Sequence, residues 1–155
     1  MIKKVTLHIN GENRQGIVRT AATLLDTLRD QFDLTGAKRG CENGDCGTCT
    51  VLVDGWPIKS CIMLAVEATE KRITTIEGLH GSPVQKAFVE NWAFQCGYCT
   101  PGFIVNCHAL IASHPKATDK IIEEWLESNI CRCTSYQEIR KAVKSLLQNQ
   151  RQGEL

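Results

Sequence analysis

The chain has 155 residues, 43% of them hydrophobic, and a net charge of +1 with Lys and Arg scattered among Asp and Glu. That is a globular composition, enough for one ordinary domain or two small ones, and it argues against a nucleic-acid or membrane surface. No stretch approaches the length of a membrane span.

The opening "MIKKVTLHINGE" sets Ile2, Val5, Leu7 and Ile9 among polar residues and predicts a strand over 2–9. It lacks the apolar core and cleavage site of a signal peptide, so a cytoplasmic protein is expected. "NGE" at 10–12 is a hairpin turn signal leading to a second strand around 14–18. From Ala21 to Phe32 the residues Leu24, Leu25, Leu28 and Phe32 recur at helical spacing. A glycine-rich loop, "KRGCENGDCGTCT", follows. "TVLVDGWPI" then reads as strand, Asp-Gly turn and return strand, and "ITTI" at 73–76 as one more strand.

Composition shifts at "EGLHGSP", residues 77–83, which divides the chain into 1–77 and 82–155. Beyond this point the pattern is helical. Ser82-Pro83 is an N-cap with a first-turn proline, predicting a helix to about Trp92, and Thr100-Pro101 repeats that signature for a helix to about Ser113. Thr118 caps a third helix through Trp125 and Leu126. Ser135 and Glu138 form a capping box for a last helix over 136–148. The expected fold class is α+β, a small mixed sheet crossed by one helix and followed by a four-helix bundle.

Nine cysteines are a large excess. In a reducing compartment disulfides are disfavoured, and clustered thiols point to metal or redox chemistry. Cys41-x4-Cys46-x2-Cys49, with Cys61 after eleven more residues, is the plant-type ferredoxin spacing for a 2Fe–2S cluster. Gly40, Gly44 and Gly47 allow a tight loop that aims backbone N–H groups at sulfur. A structural zinc site pairs two short Cys-x2-Cys knuckles instead, and this loop does not. The second set, Cys96-x2-Cys99 with Cys131-x-Cys133, is ambiguous by spacing alone. Zinc fits it as well as iron, and "CGYC" resembles a redox dithiol, although no strand precedes it. Both pairs precede predicted helices, whose N-termini favour anionic sulfur. A disulfide between Cys131 and Cys133 would close a small, strained ring. Arg132 between them is better placed to offset the charge of a thiolate cluster, or to serve a subunit interface.

"GCENGDCGTCTVLVDG", "QCGYCTPG" and "NICRCTSY", in that order and spacing, resemble the iron–sulfur subunit of the molybdenum hydroxylases, the family of xanthine dehydrogenase, aldehyde oxidoreductase and carbon monoxide dehydrogenase. The resemblance covers nearly the whole chain. It implies a ferredoxin-like β-grasp domain and a four-helix bundle, each with one 2Fe–2S cluster. It assigns Cys41, Cys46, Cys49 and Cys61 to the first cluster, and Cys96, Cys99, Cys131 and Cys133 to the second. It places Gln95 and Cys133 beside a molybdopterin on a partner chain; read without the family, Gln95 would cap or brace its loop. It further implies a molybdopterin-binding large subunit, an FAD-binding medium subunit and a hetero-oligomer, with a dimer of heterotrimers as one arrangement. Three residues depart from the usual pattern: Thr48 stands for alanine, Ile130 for leucine and Ser135 for glycine.

Other residues read as structural. Cys107 lies on the stripe Phe103, Ile104, Cys107, Leu110 and Ile111 and is expected in the core. Trp92 and Trp125 occupy apolar helix positions and are expected there too. His8, His80, His108 and His114 have neither metal-ligand spacing nor a paired nucleophile. No substrate pocket or nucleophile with its base is recognisable. The expected role is electron transfer from a molybdenum centre on a partner, through the bundle cluster and then the ferredoxin-like cluster, to a flavin. The expected substrate is an N-heterocycle such as a purine; carbon monoxide or an aldehyde is the alternative, and the lack of a twin-arginine leader counts against a periplasmic aldehyde oxidoreductase. A stand-alone two-cluster ferredoxin and a zinc-stabilised interaction module are the competing classes.

Overall fold

The structure is a computed structural model and describes residues 1–134 and 136–152. Strands β1 (Ile2–Ile9) and β2 (Glu12–Arg19) form an antiparallel hairpin in which Ile9 faces Glu12 and Ile2 faces Arg19. Its turn is Asn10-Gly11, with φ of 52° and 86°, the left-handed pair that a two-residue hairpin needs. Helix α1 (Leu24–Asp30) is shorter than the apolar spacing suggests. Thr23 accepts a hydrogen bond from the Asp26 N–H and fixes the start. Asp33 at φ 55° turns the chain so that the Leu34 N–H returns to the Leu28 carbonyl, a Schellman-type stop that buries both leucines.

Strands β3 (Thr50–Val53), β4 (Trp56–Lys59) and β5 (Arg72–Thr74) complete a five-stranded sheet in the order β2-β1-β5-β3-β4. β1 and β5 run parallel while the other neighbours are antiparallel, so the sheet is mixed. The expected strand at 73–76 sits slightly earlier, because Ile76 already begins a 3-10 turn through Leu79. α1 packs on one face, burying Leu24, Leu25 and Leu28 against Val5, Leu7, Ile9, Val51 and Ile73. Each such side chain contributes about 1.5–3 kcal/mol on leaving water.

Four further helices follow: α2 (Pro83–Glu90), α3 (Thr100–Ser113), α4 (Asp119–Leu126) and α5 (Gln137–Gln152). Ser82 and Gln85 form a reciprocal capping box on α2, and Thr118 caps α4 through the Ile121 N–H. α3 differs from expectation. Its N-cap is Cys99, and Thr100 is the first helical residue. Trp92 is also a correction: α2 stops at Glu90, and Trp92 sits beyond it at φ 53° and 76% exposed. α5 runs further than 148, to Gln152. The Ser135 half of its expected capping box, and any effect of serine there, lies outside the described residues.

The helices enclose their own core, with Phe88, Phe103, Leu110, Ile122, Ile139 and the fully buried Cys107 at its centre, and Trp125 partly buried against it. A small third cluster joins the halves. Every residue of β3 is buried, because Val51 and Val53 face the sheet's core while Leu52 meets Val105 and Ala109 of α3. The continuous apolar run "TVLV" is the sequence form of that two-sided burial.

Candidate metal centres

The first set is built by an irregular loop and a hairpin. Between Gly40 and Cys49 the chain has no regular structure and passes through left-handed geometry at Glu42, Gly44 and Gly47. This curls the backbone so that N–H groups point at sulfur: Cys46 N–H donates to Cys41 Sγ (3.2 Å) and Cys41 N–H to Cys46 Sγ (3.4 Å). Gly40 is required by space, since a Cβ there would lie 2.6 Å from Cys46 Sγ and 2.7 Å from Thr48 Oγ1. The β3–β4 hairpin returns Cys61 to Cys49, held by Ser60 Oγ donating to the Cys49 carbonyl at 2.7 Å.

The thiols sense one another. Burial alone would raise the Cys41 thiol, but the N–H groups of Cys46, Asn43 and Asp45 and the Cys46 thiol bring it down to about 7. Burial, a hydrogen bond with Cys49 and the charges of Cys49 and Cys41 push Cys61 up to about 12. The contacts fall into two pairs, an outer one of Cys41 and Cys46 and a buried one of Cys49 and Cys61.

The second set has the same plan. Cys96 and Cys133 are exposed with their sulfurs 3.6 Å apart. Cys99, half-buried, and Cys131, buried, form the inner pair. Burial, the hydrogen bond with Cys131 and the charges of Cys131 and Cys96 push Cys99 up to about 12. Burial would raise Cys131 too, but the Thr134 side chain and N–H, the Cys133 N–H and Cys99 hold it below the usual thiol range. Cys133 is raised by its hydrogen bond with Cys96. Tyr136 braces the inner pair, accepting the Cys131 N–H (2.9 Å) and donating to the Cys131 carbonyl (3.1 Å), with its ring edge-on to Phe103. Arg132 and Gln95 are exposed.

Among the described residues no group of three or more His, Cys, Asp or Glu closes around a single point as the ligands of one metal ion would. Two pairs of thiols side by side match the demand of a dinuclear cluster, which takes four thiolates in all. One buried hydroxyl supports that fit. Among the described residues Thr100 Oγ1, next to Cys99, is buried without a hydrogen-bond partner. A buried hydroxyl without an acceptor is costly, and the sulfurs of a cluster held at this site would supply one.

The two centres meet at a seam of hydrogen bonds. Ile130 N–H donates to the Cys46 carbonyl (2.9 Å), Asn129 Nδ2 to the Gly47 carbonyl (2.9 Å) and Tyr98 Oη to the Arg39 carbonyl (2.6 Å). Lys59 Nζ donates to the Ser128 carbonyl. Gly102, in the first turn of α3, lies directly on the Gly47 carbonyl. Sequence reasoning singled out none of Asn129, Tyr98, Tyr136 and Gly102 for a role: Asn129, Tyr98 and Gly102 act through partners distant in the chain, and Tyr136 reaches back five residues to Cys131 across irregular backbone. The remaining expectations for single residues are simple: Cys107 is buried away from both sets, with its thiol pushed up to about 12 by burial.

Two family profiles match the chain: a "2Fe-2S iron-sulfur cluster binding domain" over residues 6–93 and a "[2Fe-2S] binding domain" over residues 75–144. The nicotinate dehydrogenase small FeS subunit of Eubacterium barkeri is 44% identical over 144 residues, covering 90% of this chain and 92% of that one. The aldehyde oxidoreductase iron-sulfur-binding subunit of Escherichia coli is 44% identical over 163 residues, covering 92% of this chain and 71% of that one. In structure, quinoline 2-oxidoreductase from Pseudomonas putida 86 superposes with a TM-score of 0.91 at 38% identity, with 99% of each chain covered. The fold and the paired thiols thus define a two-domain 2Fe–2S electron-transfer protein. The chain belongs to the family of small iron–sulfur subunits of the molybdenum hydroxylases. Among the described residues no helix is long and apolar enough to cross a membrane.

Proposed function

We propose that the chain relays electrons from a molybdopterin-binding large subunit to an FAD-binding medium subunit within a cytoplasmic hetero-oligomer. Each 2Fe–2S cluster would supply one-electron storage at its site. Cys96, Cys99, Cys131 and Cys133 hold the entry cluster in residues 82–155, and Cys41, Cys46, Cys49 and Cys61 hold the exit cluster in residues 1–77. The observation that carries this reading is the hydrogen bond from Ile130 N–H to the Cys46 carbonyl at 2.9 Å. It connects the neighbour of Cys131 with Cys46, so one route between the two sets runs through backbone alone. Gln95, Cys96 and Cys133 share an exposed edge, which suits them to contact the pterin of the large subunit. The substrate belongs to that partner. An N-heterocycle is the reading we favour, because nicotinate and quinoline are named in two of the three relatives.

The purified chain should carry about four irons and show two paramagnetic signals on reduction. In the assembled complex, Cys61→Ser exchanges a thiolate for a harder ligand and should damage the exit cluster alone. Substrate should still reduce the entry cluster in one turnover, while flavin reduction slows strongly. Stoichiometric zinc without iron would sink the metal assignment, and normal flavin reduction in the variant would sink the order.

A further inference from the structure

Thr48 stands where the family usually has alanine, and its hydroxyl has a contact that alanine cannot make. Its Oγ1 lies 3.2 Å from Cys46 Sγ and 3.1 Å from the Lys38 carbonyl. The residue is buried, so water does not compete for the hydroxyl. A hydroxyl has a single proton to donate, and here it has two acceptors within reach. The Lys38 backbone is already tied to Thr48 by its own N–H donating to the Thr48 carbonyl at 3.0 Å. The side-chain bond to the same residue is therefore a second tie between the same two residues. Gly40 completes the arrangement: any Cβ there would collide with both Cys46 Sγ and Thr48 Oγ1, so the glycine keeps the two atoms in contact.

We propose that Thr48 is a positioning residue that raises the reduction potential of the first cluster by donating its hydroxyl hydrogen bond to Cys46 Sγ. A donor aimed at a cluster sulfur stabilises the added negative charge, so it favours the reduced state. When one electron arrives, from the second cluster in the chain or from dithionite in a titration, no bond breaks. The proton stays on Oγ1 and turns from the Lys38 carbonyl toward the sulfur, whose charge has increased. The effect pulls electrons toward the exit cluster and leaves the entry cluster alone, because among the described residues the Thr48 hydroxyl is bonded to no sulfur of the other set.

The proposal rests on the first set holding a 2Fe–2S cluster, and the test separates the two ideas. The full chain with both clusters is titrated with dithionite and mediators, and each cluster is followed by its paramagnetic signal. Thr48→Val removes the donor at nearly constant volume, and the first cluster's reduction equilibrium should fall about three- to tenfold, where tenfold is 59 mV for one electron. The second cluster should not move. Thr48→Ser should restore the parent value. In the reduced parent and the serine variant a proton coupling exchangeable in deuterated water should be present, and it should be absent in the valine variant. Should the valine variant fail to keep its cluster, Thr48→Ala carries the same test with the residue the family usually tolerates. Parent potential and an unchanged exchangeable coupling in either variant would overturn the proposal, whereas absence of the first cluster from the unmutated chain would overturn the metal assignment beneath it.

Discussion

Gly102→Ala probes the seam at its tightest point. A Cβ on Gly102 would collide with the Gly47 carbonyl and come within 3.1 Å of Thr48 Cα. Both obstacles are backbone, so no side-chain rotation relieves them. Forcing a methyl into such a contact costs about 1–3 kcal/mol. The relief available is to move the cysteine loop away from α3. That stretches the bonds from Ile130 N–H to Cys46 and from Asn129 Nδ2 to Gly47, both 2.9 Å, each worth about 0.5–1.5 kcal/mol. The combined loss is roughly 2–6 kcal/mol, a fall in Tm of roughly 5–20 °C for a chain of this size. Thermal unfolding of the cluster-loaded chain, followed by circular dichroism and visible absorption, reads the stability. Rapid-freeze paramagnetic spectroscopy of the complex reads transfer between the clusters, which should slow. A Tm within about 1 °C of the parent, with transfer unchanged, would refute the argument that this contact sets the spacing of the two centres.

Two further outcomes are expected. Cys107→Ser should keep both clusters and lose about 1–3 kcal/mol in chemical denaturation, because it buries a hydroxyl in an apolar core, whereas Cys133→Ser should damage the second cluster selectively; cluster loss in the Cys107 variant would contradict its placement. His108 lines a crevice of about 150 Å³ with Pro83, Val84, Ile111 and Leu146, and burial holds its pKa below the ordinary value. The unfolded chain then binds the extra proton more readily, so stability is complete above the unfolded pKa of about 6.5 and is lost as pH falls below it. Denaturation midpoints at pH 7.5 and 5.5 should differ more for the parent than for His108→Gln, and equal differences would exclude the histidine as the source.

Much of the fold was legible in local pattern. Asn10-Gly11 announces its hairpin, Ser82-Pro83 its helix, and "TVLVDGWPI" its pair of strands. Local pattern failed where two signals look alike. Ser82-Pro83 and Thr100-Pro101 share a signature, yet Gly97 at φ 82° turns the chain early enough for Cys99 to take the cap position, and the Thr100 hydroxyl is buried instead. Trp92 continues the helical spacing of apolar residues, but the helix has already ended. The two cysteine sets were readable from spacing and resemblance. Their seam was not, because Asn129 and Gly47 are 82 residues apart and Tyr98 and Arg39 are 59 apart, and no short-range periodicity links such partners.

That seam has a consequence for how a complex built on this chain can be controlled. Three of its ties end on the segments that carry the thiols: Arg39, Cys46 and Gly47 on one side, Tyr98, Asn129 and Ile130 on the other. A hinge between the halves would have to bend the very loops that hold the metal, so opening it would disturb both centres at once. The chain therefore behaves as one fixed conductor and not as a pair of movable contacts. Control of electron flow is then expected where each set reaches the surface, at Cys41 in one and at Cys96 and Cys133 in the other.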